Sequence, residues 1–151
     1  MGNATTGVNT VLRSLVFEKG DRILYFSSAY GAIEKTILYI AETTPATPVC
    51  IPLHFPVEDR DLVSAFRSKI KEIKREGGKV KVAVFDSVIS VPGWVVPWKE
   101  LVKICKEEGV LSMMDAAHGV GNIEVDLGGN GDEGPDFWVS NCHKYVYSLL
   151  L

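Results

Sequence analysis

Cysteine is scarce in this sequence, which contains only Cys50, Cys105 and Cys142. The three are widely spaced, form no metal-binding pattern and, being odd in number, cannot all pair with one another. Such usage favours a reducing compartment, so we expect a cytoplasmic location and neither a disulfide framework nor a metal site.

A basic stripe, a long apolar run and a signal peptide are also lacking. The net charge is −3, and the lysines between Lys69 and Arg75 alternate with glutamates, as on the solvated face of a helix. No apolar run approaches the about 20 residues that a membrane span needs. The first residues carry no cationic region followed by an apolar one. We therefore expect no nucleic-acid partner and no membrane partner.

What the sequence does contain is an alternation of strand-like and helix-like blocks over 151 residues, 46% of them hydrophobic. Short apolar runs predict strands, and apolar residues three and four apart predict helices. Strands are expected at Ile23 to Phe26, Val49 to Leu53, Val80 to Asp86, Val110 to Met114 and Phe137 to Val139. Helices are expected from Val8 to Leu15, from Gly31 to Glu42, around Leu62 to Ile73, and from Pro97 to Gly109. This order predicts an α/β fold, a three-layer α/β/α arrangement with a mostly parallel sheet.

Polar residues follow three of the predicted strands. They are Asp86-Ser87, then Asp115 to His118, then Ser140 to Lys144. Parallel sheets bind ligands beyond the carboxyl ends of their strands, so these clusters predict a ligand site.

The acid and the lysine of this predicted site each allow two interpretations. Asp115 follows a buried strand, where a carboxylate is costly unless it is paired. It is either a loop-capping residue or the partner of a cation such as a protonated ring nitrogen. Lys144 is either a surface lysine or an amine that forms a Schiff base with an aldehyde.

The start of the sequence predicts a helix N-terminus that is rich in hydroxyl groups. Thr5, Thr6 and Gly7 precede the first apolar residues of that helix. Free N–H groups and threonine hydroxyls at such a point bind phosphate well. An ordinary Asn or Thr cap explains the same residues, and this motif alone does not separate the two interpretations.

Taken in order, these motifs resemble the aminotransferase class V enzymes, which are fold-type-I pyridoxal-phosphate proteins. The order is Asn3-Ala4-Thr5-Thr6, then Tyr30, then Asp115-Ala116-Ala117-His118, then His143-Lys144. The first motif is most similar to the branch that contains hercynylcysteine sulfoxide lyase and isopenicillin-N-epimerase-like proteins. The resemblance implies pyridoxal 5'-phosphate as the cofactor.

The same resemblance implies a role for each site residue. In the reaction, Lys144 forms the aldimine with the cofactor and shuttles the Cα proton, Asp115 pairs with the ring nitrogen, and His118 contacts the 3′-oxygen. The remaining cofactor contacts are Thr5, Thr6, His143 and either Ser140 or Asn141 at the phosphate, Tyr30 on the ring face, and Ser90 near the 3′-oxygen or the substrate. Tyr30 is alternatively a core aromatic residue, and Ser90 is alternatively a turn residue.

The resemblance also sets the expected function and its alternatives. We expect an enzyme that cleaves a C–S bond in a sulfur-containing amino acid, as a lyase or in the manner of a cysteine desulfurase. Epimerisation and transamination share its early steps. Residues 1–151 are expected to form part of the large domain, without the small domain and its carboxylate-binding arginine, and the full-length parent is expected to be a homodimer. A non-catalytic remnant with weak or no cofactor binding is the alternative from a different class.

Overall fold

The computed structural model describes residues 2–127 and 134–144 and contains five strands and four helices in these ranges. The strands are β1 (Asp21–Phe26), β2 (Thr47–Ile51), β3 (Lys79–Asp86), β4 (Leu111–Asp115) and β5 (Phe137–Val139). The helices are α1 (Ala4–Ser14), α2 (Gly31–Thr43), α3 (Asp59–Arg75) and α4 (Trp98–Glu108). The predicted alternation of strands and helices is confirmed.

The strands form one sheet in the order β2-β1-β3-β4-β5, and all four pairings are parallel. Every described strand therefore ends at the same edge of the sheet. The chain leaves β1 towards β2 on one side and returns to β3 on the other. The strand order thus reverses between β1 and β3, and ligands of open α/β sheets bind at such a switch point.

Two hydrophobic clusters cover the two faces of the sheet, because successive side chains of a strand point to opposite faces. In β1, Leu24 and Phe26 pack into the cluster with α3 and α4. Ile23 and Tyr25 pack into the cluster with α1 and α2. This arrangement confirms the predicted three-layer α/β/α fold.

The predicted bounds of β2 and β1 differ from the structure by two residues. Strand β2 occupies Thr47–Ile51 rather than residues 49–53, so Pro48 lies inside it. A proline lacks the N–H that a central strand needs, but β2 is an edge strand of the described sheet, where proline is tolerated. Strand β1 begins at Asp21 instead of Ile23, because Asp21 pairs with Lys79 of β3.

Candidate functional site

An open cavity of about 200 Å³ lies at the carboxyl edge of the sheet. Its lining residues are Asn3, Ala4 and Thr5 at the start of α1, Tyr30 before α2, Asp86, Val88 and Ser90 from the end of β3 onward, Asp115, Ala117 and His118 from the end of β4 onward, and Asn141, His143 and Lys144 after β5. The structure thus brings together every residue that the sequence predicts for the site, except Thr6 and Ser140.

Two of the residues that line this cavity, Lys144 and His118, are in contact with each other. Nζ of Lys144 lies 2.5 Å from Nε2 of His118, within hydrogen-bond reach. The pKa of His118 is lowered, first by burial and then by the charge of Lys144, although Asp115 acts in the opposite direction. A histidine with a lowered pKa is the neutral imidazole at neutral pH, and its unprotonated ring nitrogen can accept a hydrogen bond from the lysine.

Asp115 is buried at the end of β4, next to this pair. Its Oδ1 accepts a hydrogen bond from the Ala117 backbone N–H at 2.9 Å. Burial raises the pKa of Asp115, whereas that hydrogen bond and the charges of Lys144 and His118 lower it. A buried carboxylate that borders a cavity is well suited to a cationic ligand, because a cation offsets the cost of burying its charge.

The N-terminus of α1 forms one part of the cavity wall and is bonded to the segment that follows β5. Asn141 is buried, and its Oδ1 accepts a hydrogen bond from the Ala4 backbone N–H at 2.6 Å. The side chain of Asn3 caps the helix and accepts from the backbone N–H of Thr6 at 2.9 Å. Thr5 lies between these two bonded positions and lines the cavity. The positive end of the helix dipole therefore faces the cavity, as in anion-binding sites.

Thr6 and Ser140 have structural contacts instead of a place in the cavity wall. The Thr6 hydroxyl is within 3.1 Å of Asn3 Oδ1 and donates to that oxygen. The Ser140 hydroxyl donates to the carbonyl oxygen of Ala116 at 2.7 Å, which ties the segment after β5 to the segment after β4. Of the two residues proposed as alternatives at the phosphate, Asn141 is therefore the one that lines the cavity.

Tyr30 and Ser90 lie on the rim. Tyr30 immediately precedes α2 and is 52% exposed, so the alternative interpretation of a core aromatic residue is wrong. Ser90 is exposed in the connection between β3 and α4 and borders the cavity. Each could contact a ligand held deeper in the cavity.

Asp86 belongs to the polar clusters that predict the ligand site, but the sequence indicates no specific role for it there. It ends β3, where it pairs with Asp115 in the register between β3 and β4. Its pKa is raised to about 8, first by burial and then by the charge of Asp115, while its backbone hydrogen bond and Lys144 oppose the rise. The sequence places Asp86 at a strand end, but only the strand order places it beside Asp115.

The remaining expectations concern metals and membranes. Residues 2–127 and 134–144 contain no group of three or more His, Cys, Asp or Glu side chains that could hold a metal ion. Within the same ranges, no helix is both long and apolar enough to cross a membrane. The cytoplasmic location stays a prediction.

Comparisons with known proteins give one family and several similar proteins. The family model for aminotransferase class-V matches residues 1–148. The chain is 41% identical over 154 residues to putative L-cysteine desulfhydrase 1 of Oryza sativa subsp. japonica, covering 96% of this chain and 31% of that protein. It is 31% identical over 148 residues to the hercynylcysteine sulfoxide lyase of Schizosaccharomyces pombe, covering 97% of this chain and 35% of that protein. The chain therefore spans about a third of the length of these relatives.

Solved structures share the fold. The cystine C-S lyase C-DES, in a complex with its reaction product cysteine persulfide, superimposes with a TM-score of 0.82 at 22% identity, over 95% of this chain and 36% of that one. A C-DES mutant with glycine covalently linked to its PLP cofactor gives the same TM-score at 21% identity, with the same coverage of both chains. These likenesses confirm the predicted fold class.

Proposed function

This chain belongs to the aminotransferase class-V family, and we propose that it is the cofactor-binding core of a pyridoxal-phosphate enzyme that cleaves a C–S bond in a sulfur-containing amino acid. Family membership confirms the resemblance inferred from the order of the sequence motifs. The observation that carries the proposal is the cluster of Lys144, His118 and Asp115 in one cavity, which also contains the N-terminus of α1.

The residues around the cavity match the chemical groups of pyridoxal 5'-phosphate. Asp115 supplies a buried carboxylate for a protonated ring nitrogen, and Lys144 supplies an amine for an aldehyde. The start of α1, with Thr5, supplies a positive dipole end and a hydroxyl for a phosphate. Anionic, nucleophilic and phosphate-binding groups are thus present together, and the residues fit this cofactor.

Each side chain has a defined task in the proposed site. The bound cofactor supplies an electron sink for the electron pair left on the substrate Cα atom. Asp115 favours the charged form of the ring nitrogen, because a carboxylate partner stabilises a cation. Neutral His118 accepts a hydrogen bond from Lys144 and so orients Nζ towards the cavity. As a neutral amine, Lys144 Nζ would take the proton from the substrate Cα, and Tyr30, which also lines the cavity, would contact the bound cofactor from the rim.

The choice of C–S cleavage over other outcomes depends on the relatives. L-cysteine desulfhydrases and a hercynylcysteine sulfoxide lyase are among them. Epimerisation and transamination would use the same Asp115, His118 and Lys144, since they too begin with removal of the Cα proton. Release of the sulfur group from the substrate therefore distinguishes these outcomes. In the full-length protein we propose a homodimer as the active form.

The proposal is tested by loading the chain with pyridoxal phosphate, recording the visible absorption spectrum, reducing with borohydride and mapping the labelled peptide. We expect one adduct, on Lys144, and its loss in Lys144→Met. Lys71→Met is the matched control, because Lys71 is an exposed lysine on α3 outside the cavity wall and its loss should leave the adduct unchanged.

Labelling scattered over surface lysines, or no absorption band at all, would contradict the proposal for this chain. That result would instead support the alternative of a remnant that has the residues of the family without cofactor binding. If the adduct forms, cysteine and cysteine-conjugate substrates can be screened for release of the sulfur group.

A further inference from the structure

Two carboxyl groups lie side by side in the cavity. Asp86 ends β3 and Asp115 ends β4, and the two residues are direct partners in the parallel register. Neighbouring strands are about 4.8 Å apart, and partners in register project to the same face, so the two carboxyl groups are close. Both of them line the same cavity.

The two carboxyl groups have unequal surroundings. Burial raises the pKa of Asp115, but the hydrogen bond from the Ala117 N–H and the charge of Lys144 oppose that rise. For Asp86, burial is the largest cause of a raised pKa, and the charge of Asp115 is the second. Asp115 therefore ionises first, and its charge then keeps a proton on Asp86.

Other titratable side chains also border the cavity. They are Tyr30 before α2, His118 after β4, and His143 and Lys144 after β5. The residues that α1 contributes, from Asn3 to Thr5, are uncharged. Lys144 lowers the pKa of Asp86, but burial and Asp115 outweigh it, and the pKa remains at about 8.

We propose that Asp86 is a positioning residue that acts through Asp115: at neutral pH the two neighbouring carboxyl groups share one proton, held by Asp86, so that Asp115 presents a single negative charge to the cavity. A neutral acid can donate a hydrogen bond to the adjacent carboxylate and stabilise its ionised form. The statement that this charge serves a ring nitrogen rests on the proposed function. The shared proton is a property of the chain itself.

The shared proton is tested without cofactor, by NMR titration of the two carboxyl carbons in the wild-type chain and in two isosteric variants. In the wild type, Asp86 should titrate near pH 8, and Asp115 should ionise before it. Asp115→Asn should lower the pKa of Asp86 by about one unit, because the neighbouring charge is gone. Asp86→Asn should leave the titration of Asp115 nearly unchanged. An Asp86 carboxyl that is ionised at pH 6, or one that Asp115→Asn does not move, overturns the inference.

The consequence for the ligand is tested on the chain loaded with pyridoxal phosphate. The absorption spectrum of the bound cofactor should change near pH 8, where Asp86 loses its proton, and Asp86→Asn should abolish that change. Asp59→Asn, at the exposed start of α3, is the matched control and should retain it. A pH profile of the absorption spectrum that is identical in Asp86→Asn and the wild type contradicts the inference while leaving the proposed function intact. If no variant binds the cofactor, the proposed function fails, and the carboxyl titrations still decide whether the proton is shared.

Discussion

The hydrogen bond between Asn141 and the first residue of α1 provides a quantitative test of how the site is held together. Asn141 Oδ1 accepts from the Ala4 N–H at 2.6 Å, and both residues are buried. Asn141→Ala leaves this buried N–H without its acceptor, at a cost of about 1–3 kcal/mol. We therefore expect the free energy of unfolding to fall by that amount in urea denaturation, with an unchanged m-value. Hydrogen exchange at the Ala4 amide should become faster.

Asn3→Ala is the matched control, because Asn3 bonds the same helix end but is exposed. Its Oδ1 accepts from the Thr6 N–H at 2.9 Å. Water can replace an exposed cap, so this change should cost about 1 kcal/mol or less. The reasoning is refuted if Asn141→Ala is no more destabilising than Asn3→Ala, or if exchange at the Ala4 amide does not change.

Three further predictions concern the core and the titratable groups. Phe66 is 1% exposed and contacts Phe26 and Phe85, so Phe66→Ala should cost about 3–5 kcal/mol in denaturant unfolding. Lys144→Met should raise the pKa of His118, measured by NMR, because the charge of Lys144 is one of the causes that lower it. The pKa of Asp86 is about 8 in the folded state and about 3.9 for an unfolded Asp. Between these two pH values, the folded chain therefore keeps a proton that the unfolded chain has lost. Asp86 should therefore lower the stability by up to about 1.4 kcal/mol per pH unit as the pH rises from about 4 towards 8, and Asp86→Asn should remove this contribution from the pH dependence measured by denaturation.

The elements of the fold were predictable because each leaves a periodic pattern in the sequence. The apolar run from Val80 to Phe85 predicts a buried strand, and β3 covers it. Gly109 predicts the end of a helix, and it closes α4 with a left-handed φ of 67°. The shift of β2 by two residues was not predictable, because it depends on Pro48 lying in an edge strand, and edge position is a property of the strand order.

Some features of the candidate site were likewise predictable from the sequence, and others were not. Asp115 and Lys144 stand out because polar residues directly follow apolar strands. Two other features depend on contacts between distant parts of the chain, which no local pattern records. One is the bond from Asn141 to Ala4, and the other is the place of Asp86 beside Asp115. Thr6 shows that a suitable residue type does not ensure a place in the cavity wall. Its hydroxyl could bind a phosphate, but it bonds the side chain of Asn3 instead.

The two carboxyl groups favour a ligand-binding role for this edge of the sheet over a purely structural one. Burial raises the pKa of both Asp86 and Asp115. Each of them therefore destabilises the folded chain at pH values above its unfolded pKa, where the unfolded chain has already lost the proton. Asparagine or an apolar residue at either strand end would avoid this cost. The hydrophobic clusters on both faces of the sheet offset this cost, and a cationic ligand beside Asp115 would reduce it further. A cation bound at Asp115 should therefore stabilise the fold, and the gain should be larger in the wild type than in Asp115→Asn.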